Sequence, residues 1–146
     1  MNRWCLGMTI AAITFCPNWA LAQAFPADTT YTSPRGGLTI RPLVGPGISR
    51  TDAFEMAEII FPAGYRGGNH VHGTTEIFYI VSGVFEHVVN DEVHVLEPGM
   101  VGYVHPPDRV AHRVSGDVPV VAIVLWIPEG EGGRIYANWS KQIRRP

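Results

Sequence analysis

The chain has 146 residues, a formal net charge of −2 and 16% charged side chains, which is enough for one domain with one core. This slightly acidic balance excludes the basic footprint of a nucleic-acid-binding protein. Both cysteines, Cys5 and Cys16, fall in the first 22 residues, so no internal disulfide can brace the rest.

Residues 1–22 read as a secretory signal peptide. Arg3 gives a basic start, an apolar run extends to Phe15, and Ala20-Leu21-Ala22 offers a small-x-small cleavage site. A membrane anchor is the alternative, but Pro17-Asn18 interrupts the run before the ~20 apolar residues that a spanning helix needs. Lipidation at Cys16 is disfavoured by the bulky Phe15 before it. The expected location is periplasmic or secreted, with no membrane contact after cleavage. Residues 23–37 show no periodicity and read as an arm or linker that can reach a neighbouring subunit.

From residue 38 onward, short apolar or alternating segments are broken by Gly and Pro, and no amphipathic helical window of convincing length appears. The predicted strands are residues 38–43, 54–61, 70–72, 76–82, 85–89, 92–96, 100–104, 111–115 and 120–127. Asn90-Asp91 is a two-residue hairpin turn. Pro98-Gly99 is a second turn, with Pro fixing φ and Gly supplying φ > 0. Residues 120–127 are apolar on both faces. They form either a strand covered on both sides or one whose outer face is a subunit interface, so a homodimer is expected. Residues 128–146 are a C-terminal extension with a small basic end, Lys141, Arg144 and Arg145, read as a solvated terminus.

The chemistry is concentrated in Gly64-Tyr-Arg-Gly-Gly-Asn-His70-Val-His72-Gly-Thr-Thr-Glu76, with a further histidine at His112. The i, i+2 spacing puts His70 and His72 on one face of a strand. Glu76, brought onto a new strand by the three-residue turn Gly73-Thr74-Thr75, can point the same way. Three imidazoles and a carboxylate suit one divalent transition metal (Fe, Mn, Ni, Cu or Zn) and leave two positions of an octahedral ion open. Such a centre carries a charge of about +1 and favours anionic or enolisable ligands.

Alternation from Glu76 turns Phe78 and Ile80 inward and Ile77 and Tyr79 outward. His112 inward likewise implies Val114 inward and Arg113 outward. His105, Tyr103, Tyr65 and Arg109 are candidates for supporting acid–base roles, and Tyr65 and Arg66 lie in a Gly-rich loop that can act as a lid. His87 and His94 read as exposed strand residues.

The stretch from Gly64 to Gly83 resembles the first signature of the cupin superfamily, G-x5-H-x-H-x3-E-x6-G, at every fixed position. The second signature, G-x5-P-x-G-x2-H-x3-N, is met in part: Gly99, Pro107 and His112 match. Arg109 replaces a Gly, Ser115-Gly116 stand where the Asn belongs, and two extra residues separate Gly99 from Pro107. The resemblance covers residues 38–127. It implies an all-β, double-stranded jelly-roll β-barrel with His70, His72, Glu76 and His112 as metal ligands.

Three functions fit. The first is a metal-dependent oxidoreductase, dioxygenase-like, acting on a small enolic, phenolic or dicarbonyl compound, with Glu76 as both ligand and base. The second is a non-redox lyase, decarboxylase or isomerase. The third is a non-catalytic protein that binds a metal or small ligand.

Overall fold

The structure is a computed structural model that describes residues 29–45 and 52–143. The signal peptide read at residues 1–22 lies outside the described residues, as do Arg144 and Arg145.

Eleven strands and one short helix follow in chain order: β1 (Thr29–Thr32), β2 (Thr39–Val44), β3 (Glu55–Phe61), β4 (His70–Val71), β5 (Thr75–Ser82), β6 (Phe85–Val89), β7 (Glu92–Leu96), β8 (Val101–Val104), β9 (Arg109–Arg113), β10 (Val120–Ile127), α1 (Glu131–Tyr136) and β11 (Ser140–Ile143). They form a seven-stranded sheet in the order β11-β1-β2-β3-β10-β5-β8 and a four-stranded sheet in the order β4-β9-β6-β7. Every pairing is antiparallel.

The all-β cupin-like reading holds, but the closed jelly-roll barrel does not. No ladder joins the two sheets among the described residues, and each keeps two free edges. The residues at those edges account for this. β4 is only two residues long, and β8 runs into Pro106-Pro107, which have no N–H to donate to a continuing ladder.

The core lies between the sheets. Ile40, Ile59, Phe78, Ile80 and Val124 from the larger sheet meet Phe85 and Leu96 from the smaller one, with Val114 just past β9. Alternation explains the selection, since β3 and β10 bury every second residue. β10 lies between β3 and β5. Its inner face, Val120, Ala122, Val124 and Trp126, is fully buried, and Val121, Ile123 and Leu125 on the other face are half-buried. Fully burying one such apolar side chain contributes roughly 1.5–3 kcal/mol, so this strand is a major source of stability.

Both ends of the chain fold onto the domain. Thr29–Thr32, within the segment read as a free arm, pairs with β2 and β11 of its own chain. Tyr31 stacks on Tyr136 of α1 with ring centroids 4.3 Å apart. At the other turns, Asn90 and Asp91 take φ of 51° and 70°, which gives the β6–β7 hairpin the twist its strands need.

Candidate metal centre and its pocket

His70 opens β4, His72 follows it, Glu76 is the second residue of β5, and His112 lies in β9. Two local features bring them together. β4 pairs with β9, with His70 in the register next to Val110. The Gly-rich loop before β4 packs on the strand that carries His112: Gly67 N donates to His112 O at 2.8 Å, and Val114 N donates to Tyr65 O at 2.9 Å. Glycine at position 67 eases this approach, because a Cβ there would stand 3.2 Å from His112 O, tighter than ordinary contact.

His70, His72 and His112 form a cluster whose ligand atoms lie within 4.8 Å of one another. His70 Nε2 and His72 Nε2 are 3.0 Å apart. The opposite ring nitrogens are occupied: His70 Nδ1 donates to Gly68 O at 3.0 Å, and His72 Nδ1 donates to Glu131 Oε1 at 2.9 Å. A carbonyl and a carboxylate only accept, so both rings carry their proton on Nδ1 and turn a bare Nε2 toward the cluster.

Glu76 is buried, and its Oε1 accepts the Trp126 indole N–H at 2.8 Å. Its Oε2 lies 3.0 Å from His72 Nε2 and 3.6 Å from His112 Nε2. Although these distances suit ion pairs, the angles do not make hydrogen bonds: Glu76 Oε2 and His112 Nε2 are both buried without a hydrogen-bond partner. Leaving a buried polar atom unsatisfied costs about 1–3 kcal/mol. A divalent cation bound among these atoms would satisfy both, so the residues present fit a first-row metal ion.

The electrostatics separate the histidines. Burial, reinforced by repulsion from His87, His70 and His72, holds His112 well below the usual imidazole value and keeps it neutral. For His72, burial is the largest influence and acts downward. The charge of Glu76 and then that of Glu131, with the hydrogen bond to Glu131, outweigh it, so His72 titrates above its usual 6.5. Burial raises the pKa of Glu131, but its bonds to Arg134 and then His72 prevail and keep it lower, as a carboxylate.

Glu131 was not among the sequence candidates. It opens α1, is almost fully buried, bonds His72 and is paired with Arg134 one turn on. A second buried carboxylate, Glu55, accepts from Gly132 N at 2.6 Å and fixes the start of the helix. The only forewarning was the acidic pair Glu129 and Glu131 among glycines, a pattern more typical of a solvated loop.

The other candidates scatter. Tyr65 packs edge-on against Phe61 and lines the pocket beside the cluster. Tyr103 and His105 are exposed and stack on each other away from it, while Arg109 faces Asp91 at 3.9 Å. His94 is exposed as expected, but His87 is not. It is 2% exposed and stacks on His112 at 5.4 Å and 8°. Alternation from Phe85, which is fully buried, puts His87 on the inner face.

A cavity of about 270 Å³ opens beside the histidines. Its walls include Ile40, Ile59, Phe61, Trp126, Ile135 and Trp139, with Arg134 also among the lining residues.

A family model described as a cupin domain matches residues 57–128. The chain carries a cupin domain. Solved cupin structures share its fold. A RmlC-like cupin from Shewanella frigidimarina aligns with a TM-score of 0.62 at 22% identity, over 76% of this chain and 94% of that one. KdgF from Halomonas sp. aligns with a TM-score of 0.57 at 22% identity, over 70% and 88%. The DMSP lyase DddQ from Ruegeria pomeroyi aligns at 27% identity with a TM-score of 0.56, over 64% of this chain and 54% of that protein. No curated protein matches the sequence. The four sequence-selected side chains all lie inside the matched segment of the cupin, whereas Glu131 lies outside it.

Proposed function

We infer that this cupin is a divalent-metal enzyme acting on a small chelating organic molecule, with His70, His72, His112 and Glu76 as ligands and Glu76 also as base. One observation carries the reading. The Nε2 atoms of His70 and His72 face each other at 3.0 Å while both Nδ1 positions are already donating. Two lone pairs at that distance repel unless a proton or a metal cation lies between them, and a metal ion there also gives Glu76 Oε2 and His112 Nε2 the partner they otherwise lack. The bound ion would supply positive charge that holds an anionic headgroup and stabilises negative charge developing on it.

The chain's own residues supply the remainder. Trp126 holds Glu76 Oε1 and leaves Oε2 able to accept a proton from a carbon acid or hydroxyl beside the cluster. Arg134 keeps Glu131 ionised, and Glu131 in turn keeps the His72 proton on Nδ1. The apolar walls exclude water from the deprotonated group. This division of labour suits proton-abstraction chemistry of the lyase or isomerase kind, the class to which DddQ belongs by its description. The oxidoreductase reading, dioxygenase-like on a small enolic, phenolic or dicarbonyl compound, is the alternative for the same ligand set, and it differs in requiring oxygen for turnover.

Solvent-deuterium exchange into 2-oxo acids and 1,3-dicarbonyls, followed by NMR under anaerobic conditions, tests the reading. Exchange by the metal-loaded protein, lost in Glu76→Gln while metal content is kept, supports it. Equal loss of exchange and metal removes the base role, and turnover only with oxygen contradicts the reaction class.

Export through residues 1–22 accompanies this reading and is tested by cell fractionation. Self-association accompanies it too, through the exposed apolar side chains Tyr79, Val101 and Tyr103 on β5 and β8. Light scattering of the mature chain decides that point.

A further inference from the structure

We propose that the substrate has a chelating head and a compact apolar body of about one ring, and that Trp139 and Ile135 select for that body. The inference rests on the metal-centre reading above. It concerns the far wall of the pocket rather than the ligands.

Size sets the first limit. The cavity measures about 270 Å³. A cavity of roughly 150 Å³ accommodates benzene, so one ring and a small headgroup fill this one.

Polarity sets the second. The ligand atoms of the three histidines are gathered within 4.8 Å. Outside that cluster and Glu76, the lining offers few polar atoms. They are the Tyr65 hydroxyl, the Arg134 guanidinium, which is bound to Glu131, and two indole N–H groups, of which that of Trp126 is bound to Glu76. A polyhydroxylated molecule entering here would leave hydroxyls without partners, at a cost for each. An aromatic or branched apolar body instead gains contact with Phe61, Trp126 and Trp139.

The position of the wall in the chain sets the third. The ligands lie within residues 57–128, the segment that matches the cupin model. Leu38 and Ile40 on one side, and Ile135 and Trp139 on the other, lie outside it. β1 and β11 pair with each other, and Tyr31 stacks on Tyr136, so the two terminal segments brace each other at this wall. The matched segment thus supplies the ligands, and the segments that flank it supply much of the apolar wall.

The test titrates the zinc-loaded protein with benzohydroxamate, acetohydroxamate and gluconate by calorimetry. Benzohydroxamate should bind at least ~10-fold tighter than acetohydroxamate, because its ring removes additional apolar surface from water. Gluconate should bind weakest. Trp139→Ala should bring the first ratio to within about threefold, with zinc content and acetohydroxamate affinity kept, and Trp139→Phe should restore it. Equal affinity for the two hydroxamates, or tighter binding of gluconate, overturns the proposal while leaving the metal centre standing. If no zinc is retained, the metal-centre reading fails, and the wall is read on the metal-free protein with phenol against glycerol. Phenol binding that Trp139→Ala abolishes supports the wall, and no preference for phenol overturns it.

Discussion

His72 and Glu131 are 59 positions apart in sequence and joined by a 2.9 Å hydrogen bond from Nδ1 to Oε1, both side chains being buried. This contact ties the short C-terminal helix to the proposed metal centre. It fixes which nitrogen of His72 faces the cluster and makes that imidazole a stronger donor.

Replacing Glu131 should therefore weaken metal binding without unfolding the protein. Glu131→Gln keeps the volume but removes the charge that Arg134 and His72 share. We expect a loss of about 10–100-fold in metal affinity, read by competition with a chromophoric chelator. Unchanged affinity would mean that the contact serves only to hold α1.

Trp126 plays the corresponding part for Glu76. Trp126→Phe keeps most of the packing in β10 but deprives a buried carboxylate oxygen of its donor. The expected cost is about 1–3 kcal/mol of stability, measured by urea unfolding of the metal-free protein. A midpoint equal to that of the parent would show that Glu76 Oε1 finds another partner.

The pH dependence follows from the sign of two shifts. His72 titrates above 6.5 in the metal-free protein, so protons compete with metal there before they would at an ordinary imidazole. His112 is held well below 6.5 and adds no competition until the solution is more acidic. Metal affinity should thus fall with about one proton as pH drops toward 6.5, and more steeply as pH drops through about 6 to 5. In the metal-free protein, protonated His72 contributes stability that is fully present below its unfolded value. That contribution is lost as pH rises through the raised folded value. The melting temperature of the metal-free protein should accordingly decline from about pH 6.5 upward, while that of the loaded protein should rise. Parallel curves for the two forms would contradict the assignment of His72 as a ligand.

Gly83 carries a backbone demand that the sequence pattern states without explaining. Its φ is +82°, and a Cβ there would meet Pro119 O at 2.6 Å and Val120 Cα at 2.9 Å. Gly83→Ala should destabilise by about 1–3 kcal/mol, since neither backbone atom can rotate away. A thermal shift of less than a degree or two would show that the β5–β6 turn can relax.

Much of this was legible because strands leave a period-two mark. β6, β7 and β10 begin and end where the alternation and turn residues place them, and the inward course of Phe78, Ile80 and Val114 follows from the same rule. His87 was legible too: with Phe85 inward, its partner two residues on must be inward as well. Closure was not legible, because alternation tells which face a side chain takes but not whether the edges of two sheets meet.

The terminal elements escaped for a different reason. β1 and β11 are short, and β11 is fully exposed, so neither carries an apolar pattern; β11 is made a strand by pairing with β1, and β1 by pairing with β11 and β2. α1 has six residues, two of them glycine, too few to show a face. Glu131 therefore reads as a loop acid until the fold brings it under His72.

The most direct test of the metal centre is elemental analysis of the mature protein purified without chelators, beside His70→Ala and His112→Ala. The account predicts about one equivalent of a first-row transition metal per chain, retained on dialysis in the parent and lost in both variants. A parent chain that holds no metal and takes none up on titration would contradict it, as would a His112→Ala variant that keeps its full equivalent.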